Sequence, residues 1–385
     1  MKQLQGIPLL KLVPLILIPF NLKLLLAIPF LLKKRFFFSY SSEKFKIQAL
    51  LFFIIFYIVS HDLIFLKVSY LTLKHISPFA LGLFFSFVRV DMKFLVRVKK
   101  AIYIVFFIDF STNILSILLN LNVRLYPVNY FDSYYHSLIG IFGHPYLSVT
   151  LSCVTFLYAT LFKERQMQIF ALSALFVGSS LRSLLLLYPI CLVYVFLAKR
   201  IKPTLILAGL FLGILILFQV IKHDSNLELI KRCDLNIQTN QYSNCKSLNS
   251  SALRYYAWST FFSSDLSFFP EKINIKEKGA DYSHLTLKLI KSEKIFESPY
   301  LQAAYDYGFP LPFLYLLFFL FWFYQNHKNY IKIRRNSFSK NLYAAKIVIT
   351  SVFFFDSFYG VFFFCVITSL TVFFILFYEP KNATS

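Results

Sequence analysis

The stretch KRIKPTLILAGLFLGILILFQVIKHD, Lys199 to Asp224, decides the fold. Three basic residues lead into a run from Thr204 to Ile221 that no charge or proline interrupts, and the chain turns polar again at Lys222 and His223. About 17 to 25 apolar residues in a helix cross a hydrocarbon layer of roughly 30 Å, so this run is long enough to span a bilayer. Similar runs occupy residues 47–66, 70–88, 101–121, 138–162, 166–180, 183–198, 306–324, 342–358 and 361–378. A single buried core has no need of that repetition. The sequence therefore predicts an all-α polytopic membrane protein with about 10 to 12 transmembrane helices.

Composition agrees with this reading. Hydrophobic residues make up 58% of the 385 positions and charged residues 15%, with a mean hydropathy of +0.63, outside the usual range of a soluble domain. The net charge of +22 does not point to nucleic acid, because Lys and Arg sit in short clusters between apolar runs and not along one face. Those clusters (Lys33 to Lys46, Arg89 to Lys100, Lys163 with Arg165, Lys199 to Lys202, and Lys328 to Lys346) mark cytoplasmic loops. The turns near His61, Arg124 to Ser137, Arg182 and Asp356 then face outward, and the C-terminus lies inside. Within the first 32 residues, Pro8, Pro14, Pro19 and Pro29 interrupt the apolar pattern, and one span or a shallow hairpin both fit. No small-residue cleavage site follows, so this stretch does not read as a signal peptide.

The chain divides into N-terminal spans over residues 1–221, a large extracytoplasmic loop over 222–305 and C-terminal spans over 306–385. The loop holds about half of the acidic residues, and its own charges nearly cancel, unlike the basic inside loops. Helical spacing of apolar residues in 248–262 and 285–295 predicts short helices lying on the membrane surface. Cys233 and Cys245 share this loop; a disulfide and two free thiols remain equal alternatives. Cys153, Cys191 and Cys365 lie in apolar spans, where a small buried hydrophobe is the simplest reading.

Ionisable residues at outer helix ends are expensive to bury and are therefore the functional candidates. Arg182 stands at a tight hairpin tip, Gly178-Ser179-Ser180-Leu181-Arg182-Ser183; the competing reading is an arginine snorkelling to headgroups. Arg254 lies in Ser250-Ser251-Ala252-Leu253-Arg254-Tyr255-Tyr256-Ala257-Trp258, where Ser250 is a helix cap candidate and a solvated arginine is the alternative. Glu297 precedes Ser298-Pro299-Tyr300-Leu301 and Asp306-Tyr307-Gly308-Phe309, where the chain re-enters the membrane; helix capping alone would also account for it. Arg124, His136 and His144, the last in Gly140-Ile141-Phe142-Gly143-His144-Pro145, belong to the same face. There is no HxxxH or CxxC spacing, no Gly-rich phosphate loop, no nucleophile elbow and no DxD pair, so no metal or cofactor is expected.

Over about residues 135 to 325, these four segments resemble, in order, the O-antigen polymerase and O-antigen ligase superfamily of membrane glycosyltransferases. The matching patterns are Gly-Ile-Phe-Gly-His-Pro, Ser-Leu-Arg-Ser, Leu-Arg-Tyr-Tyr-Ala-Trp, and Glu-Ser-Pro-Tyr-Leu through Tyr-Gly-Phe. The resemblance implies an enzyme of the bacterial inner membrane that joins polyprenyl-diphosphate-linked repeat units at the outer face, with a flippase and a chain-length regulator as partners. Family ligases carry a His-Asn pair where this chain has Glu297 and Ser298, which favours the polymerase branch. In that reaction Arg182 and Arg254 pair bidentately with the leaving diphosphate, and Glu297 deprotonates the acceptor hydroxyl, with His284 in reserve. Arg124, His136, His144, Tyr255, Trp258 and Tyr300 are the candidate substrate-binding residues, the aromatic ones by stacking on sugar faces. The alternatives are a ligase acting on a lipid or protein acceptor and, in another class, a transporter of the lipid-linked glycan.

Overall fold

The computed structural model describes Val13 and residues 42–65, 70–87, 92–119, 145–177, 181–198, 202–224, 298–333, 338–358, 372–373 and 375–378. These residues form ten helices and no strand, so the described part of the chain is all-α. The helices are α1 Ser42–Ile64, α2 Tyr70–Phe87, α3 Met92–Leu119, α4 Pro145–Leu161, α5 Arg165–Val177, α6 Leu181–Ala198, α7 Pro203–Asp224, α8 Pro299–Tyr307, α9 Pro310–Lys332 and α10 Phe338–Asp356. The short helices expected within 222–305, and the cysteines Cys233 and Cys245, lie outside the described residues.

Helix α10 is the centre of the bundle. Every residue from Leu342 to Asp356 is buried, and the helix packs against α9, α6, α4 and α7. A helix covered on every side has to satisfy its own polar groups. Thr350 and Ser351 do so by donating to the carbonyls of Lys346 and Ile347 one turn earlier, at 3.0 and 2.8 Å. Lys346 does it differently. The sequence places Lys346 in a cytoplasmic basic cluster, but its side chain is buried and its Nζ donates to the Tyr378 carbonyl at 2.9 Å, closing a helical turn from the last described segment. The Tyr343 ring lies 5.1 Å from the same ammonium.

Several boundaries move for identifiable reasons. The expected span 306–324 is broken: α8 ends at Tyr307, Gly308 takes φ 79, and α9 starts afresh with Pro310 in its first turn. Of the expected span 138–162, residues 138–144 lie outside the described residues, and α4 covers the rest from Pro145 to Leu161. Lys93, Arg97, Lys99 and Lys100 sit on the first turns of α3 and not in a loop. There Lys99 reaches Glu164 in the turn between α4 and α5, whose Oε2 also accepts from the Tyr103 hydroxyl at 2.6 Å.

Helices α6 and α7 meet where side chains are smallest. The Tyr188 hydroxyl donates to the Gly209 carbonyl at 2.7 Å, and a methyl group at Gly213 would stand 2.3 Å from Tyr188 Cε1. Gly209 and Gly213 are one turn apart, the spacing that lets two helix backbones approach closely.

On the perimeter the side chains are apolar and uncovered. Phe52, Phe53 and Phe56 of α1 are each more than half exposed, as are Leu118 and Leu119 of α3, Leu212, Leu215 and Ile216 of α7, and Phe309 beside α9. By length and composition one described helix, Phe45–Ile64, suffices to cross a membrane alone. Shorter apolar stretches run over His75–Phe87, Leu147–Leu161, Leu186–Leu197 and Pro203–Ile216.

Candidate functional site

The short helix α8 organises one end of the bundle. Nine residues are too few to hold a helix in isolation, so its ends need outside partners. At its start, Ser298 is the N-cap, accepting from the Leu301 N–H at 3.4 Å while its own hydroxyl donates to the Ser357 carbonyl at 3.0 Å. Pro299 fills the first helical position, where its missing N–H costs nothing. The Tyr300 N–H adds a 3.5 Å contact to the same Ser357 carbonyl. The start of α8 is thereby tied to the end of α10.

The far end of α8 is tied to α1 and α2. The Tyr57 hydroxyl donates to the Tyr307 carbonyl at 2.7 Å, and the Tyr307 hydroxyl donates to Asp62 Oδ2 at 3.2 Å. Thr72 donates to the same carboxylate oxygen, while His61 Nδ1 stands 3.5 Å from the other. Asp62 is fully buried, and hydrogen bonds to a carboxylate are what make such burial tolerable. Beside it, His75 Nε2 lies 3.1 Å from Asp306 Oδ2, with the Tyr307 ring edge-on to the imidazole at 5.2 Å. This cluster draws on residues up to 250 positions apart in sequence.

Arg182 lies in the first turn of α6. Six residues on, Tyr188 packs its ring 5.2 Å from Phe355 in the last turn of α10, so the start of α6 is at the same end of the bundle as α8. Tyr300 is on α8, buried, with the Phe358 ring at 4.6 Å and the Tyr315 ring at 6.5 Å. Protein rings flank it where a sugar face was expected, but its hydroxyl has no hydrogen-bond partner among the described residues. Arg254, Glu297, Arg124, His136, His144, Tyr255, Trp258 and His284 lie outside the described residues.

No pattern in the sequence brings Asp62, Thr72, His75, Asp306 and Tyr307 together as a cluster. A signal existed, since Asp62 and His75 are ionisable residues within otherwise apolar stretches. A second polar cleft lies between α3 and α4. There the Ser148 hydroxyl donates to Asp109 Oδ1 at 3.2 Å, Asn113 and Ser152 line the walls, and about 10 Å³ is open, room for one water. Among the described residues no group of three or more His, Cys, Asp and Glu is placed to hold a metal ion.

Comparison with family models, with curated proteins and with solved structures gives no match to this chain.

Proposed function

We propose that this protein is a membrane glycosyltransferase that polymerises polyprenyl-diphosphate-linked oligosaccharide repeat units at the outer face of a bacterial cytoplasmic membrane. The membrane part of the reading is supported by the uncovered Phe and Leu side chains around the bundle, a perimeter that soluble monomers rarely expose at this scale. In this setting the α8 end of the bundle faces outward and leads into the 222–305 loop.

The observation that carries the catalytic part is convergence. The start of α6, with Arg182, and the start of α8, which follows Glu297 in the chain, are over 100 residues apart yet lie toward the same end of α10, α6 through Tyr188 against Phe355 and α8 through Ser298 on the Ser357 carbonyl. These are two of the four segments on which the resemblance to the O-antigen polymerase and ligase superfamily rests. A fixed arginine there meets negative charge as it develops on the departing diphosphate, and Glu297 takes the proton of the attacking hydroxyl. Polymerase is preferred over ligase because glutamate and serine stand where the ligases have His-Asn.

The test is a gel of surface polysaccharide from a deletion strain complemented with each variant, with membrane levels of the protein measured alongside. Arg182→Ala and Arg254→Ala should leave mostly single repeat units, since loss of one preorganised charge donor lowers rates by roughly 100- to 1000-fold. Normal chain lengths from both variants at normal expression would remove the catalytic reading. A transporter of the same lipid-linked glycan would then move ahead, a reading favoured by the buried Asp109 in the body of α3.

A further inference from the structure

We propose that His75 and Asp62 are positioning residues for the outer site: through Asp306 and Tyr307 they hold α8 in place, and so set where the start of that helix stands. The inference rests on the glycosyltransferase reading, because it assigns these residues a part in that reaction.

Helix α8 is a nine-residue rod of about 12 Å between Gly308 and the segment leading in from Glu297. Its start is held by the backbone carbonyl of Ser357. Its end is held by the His75–Asp306 contact at 3.1 Å, the Tyr307–Asp62 bond at 3.2 Å and the Tyr57 bond to the Tyr307 carbonyl at 2.7 Å. Gly308 at φ 79 breaks the helical path into α9, although α8 still packs along α9 with the Tyr300 and Tyr315 rings 6.5 Å apart. The polar anchors add to that packing at the far end of α8. They lie on α1 and α2, helices that otherwise contribute nothing to the resemblance segments, and two of them, Asp62 and His75, are at most 5% exposed. His75 is about one helix length from the start of α8, so it acts through Asp306 and does not meet substrate itself.

Hydrogen exchange read by mass spectrometry on full-length protein in detergent tests the holding, and steady-state kinetics with purified lipid-linked repeat units tests its use. His75→Leu should raise exchange in the peptide spanning 299–308 by about ten- to hundredfold, the equivalent of one lost charge-assisted hydrogen bond, with α10 peptides unchanged. His75→Gln, whose amide can still donate to Asp306, should return exchange to within about threefold of wild type. In the assay His75→Leu should lower kcat about tenfold or more with little change in donor KM, and His75→Gln should recover it, because the leaving diphosphate is still bound while the start of α8 is displaced. Unchanged exchange in His75→Leu overturns the proposal whatever the activity. Raised exchange with wild-type kcat also overturns it, leaving only a structural contact. If wild-type protein joins no repeat units, the polymerase reading fails and this assignment with it. Raised exchange in His75→Leu would then show that the contact itself was correctly described.

Discussion

Gly213→Ala should destabilise the protein although alanine is the better helix former. The added methyl would lie 2.3 Å from Tyr188 Cε1 and 2.6 Å from Cζ, where carbon atoms need about 3.5 Å, so the ring has to move by more than 1 Å. That displacement breaks the 2.7 Å bond from the Tyr188 hydroxyl to the Gly209 carbonyl and disturbs the ring contact with Phe355 at 5.2 Å. The hydrogen bond is worth about 0.5–1.5 kcal/mol and the overpacking costs about 1–3 kcal/mol, against a helix-propensity gain of at most about 1 kcal/mol. The net loss is roughly 1–3 kcal/mol. Gly209→Ala is the internal control, since its methyl meets the flexible Leu192 side chain at 3.2 Å and the Phe196 ring at an ordinary 3.5 Å, and it should fall within about 0.5 kcal/mol of wild type. Unfolding in mixed micelles titrated with dodecyl sulfate measures both. Tyr188→Leu should remove most of the Gly213→Ala penalty in a double-mutant cycle. A Gly213→Ala midpoint equal to that of Gly209→Ala would refute the close approach of α6 and α7.

Two further outcomes follow from charge and cysteine placement. An alkaline phosphatase fusion near Asn249 should be active and one after Asn382 inactive; the reverse pattern would invert the orientation and remove the site from the outer face. Mass analysis of unreduced loop peptides should find Cys233 joined to Cys245, and alkylation of both without prior reduction would exclude the bond.

The helices were legible because apolar runs bounded by charge are a local signal, and the described helices overlap the expected ones closely in α1, α2, α6 and α7. The break before α9 was also written locally, in Gly308-Phe309-Pro310, but hydropathy alone runs smoothly through it. The basic residues of α3 read as a loop when charge alone is taken to mark topology. Lys and Arg are also good helix formers with long apolar stems, and they extend a helix past its apolar part. The polar cluster under α8 is legible only as isolated ionisable residues, Asp62 and His75, in apolar stretches, and not as a set. Its His75–Asp306 and Tyr307–Asp62 contacts span 231 and 245 residues, and no periodicity reports which distant residue a buried carboxylate will find. Of the candidate site, the sequence supplied the segments, and only packing onto α10 shows that those of Arg182 and Tyr300 share one end.

The bond between Lys346 and the Tyr378 carbonyl also has a consequence for biosynthesis. The lysine is made 32 residues before its acceptor, about 2 to 6 s earlier at ordinary rates of synthesis. During that interval the central helix carries an ammonium destined for a dry interior whose acceptor does not yet exist. Its final seating must therefore wait for the segment around Tyr378, so the innermost helix of the bundle is among the last to settle, and a ribosome that stalls before Tyr378 leaves behind a chain whose core cannot close.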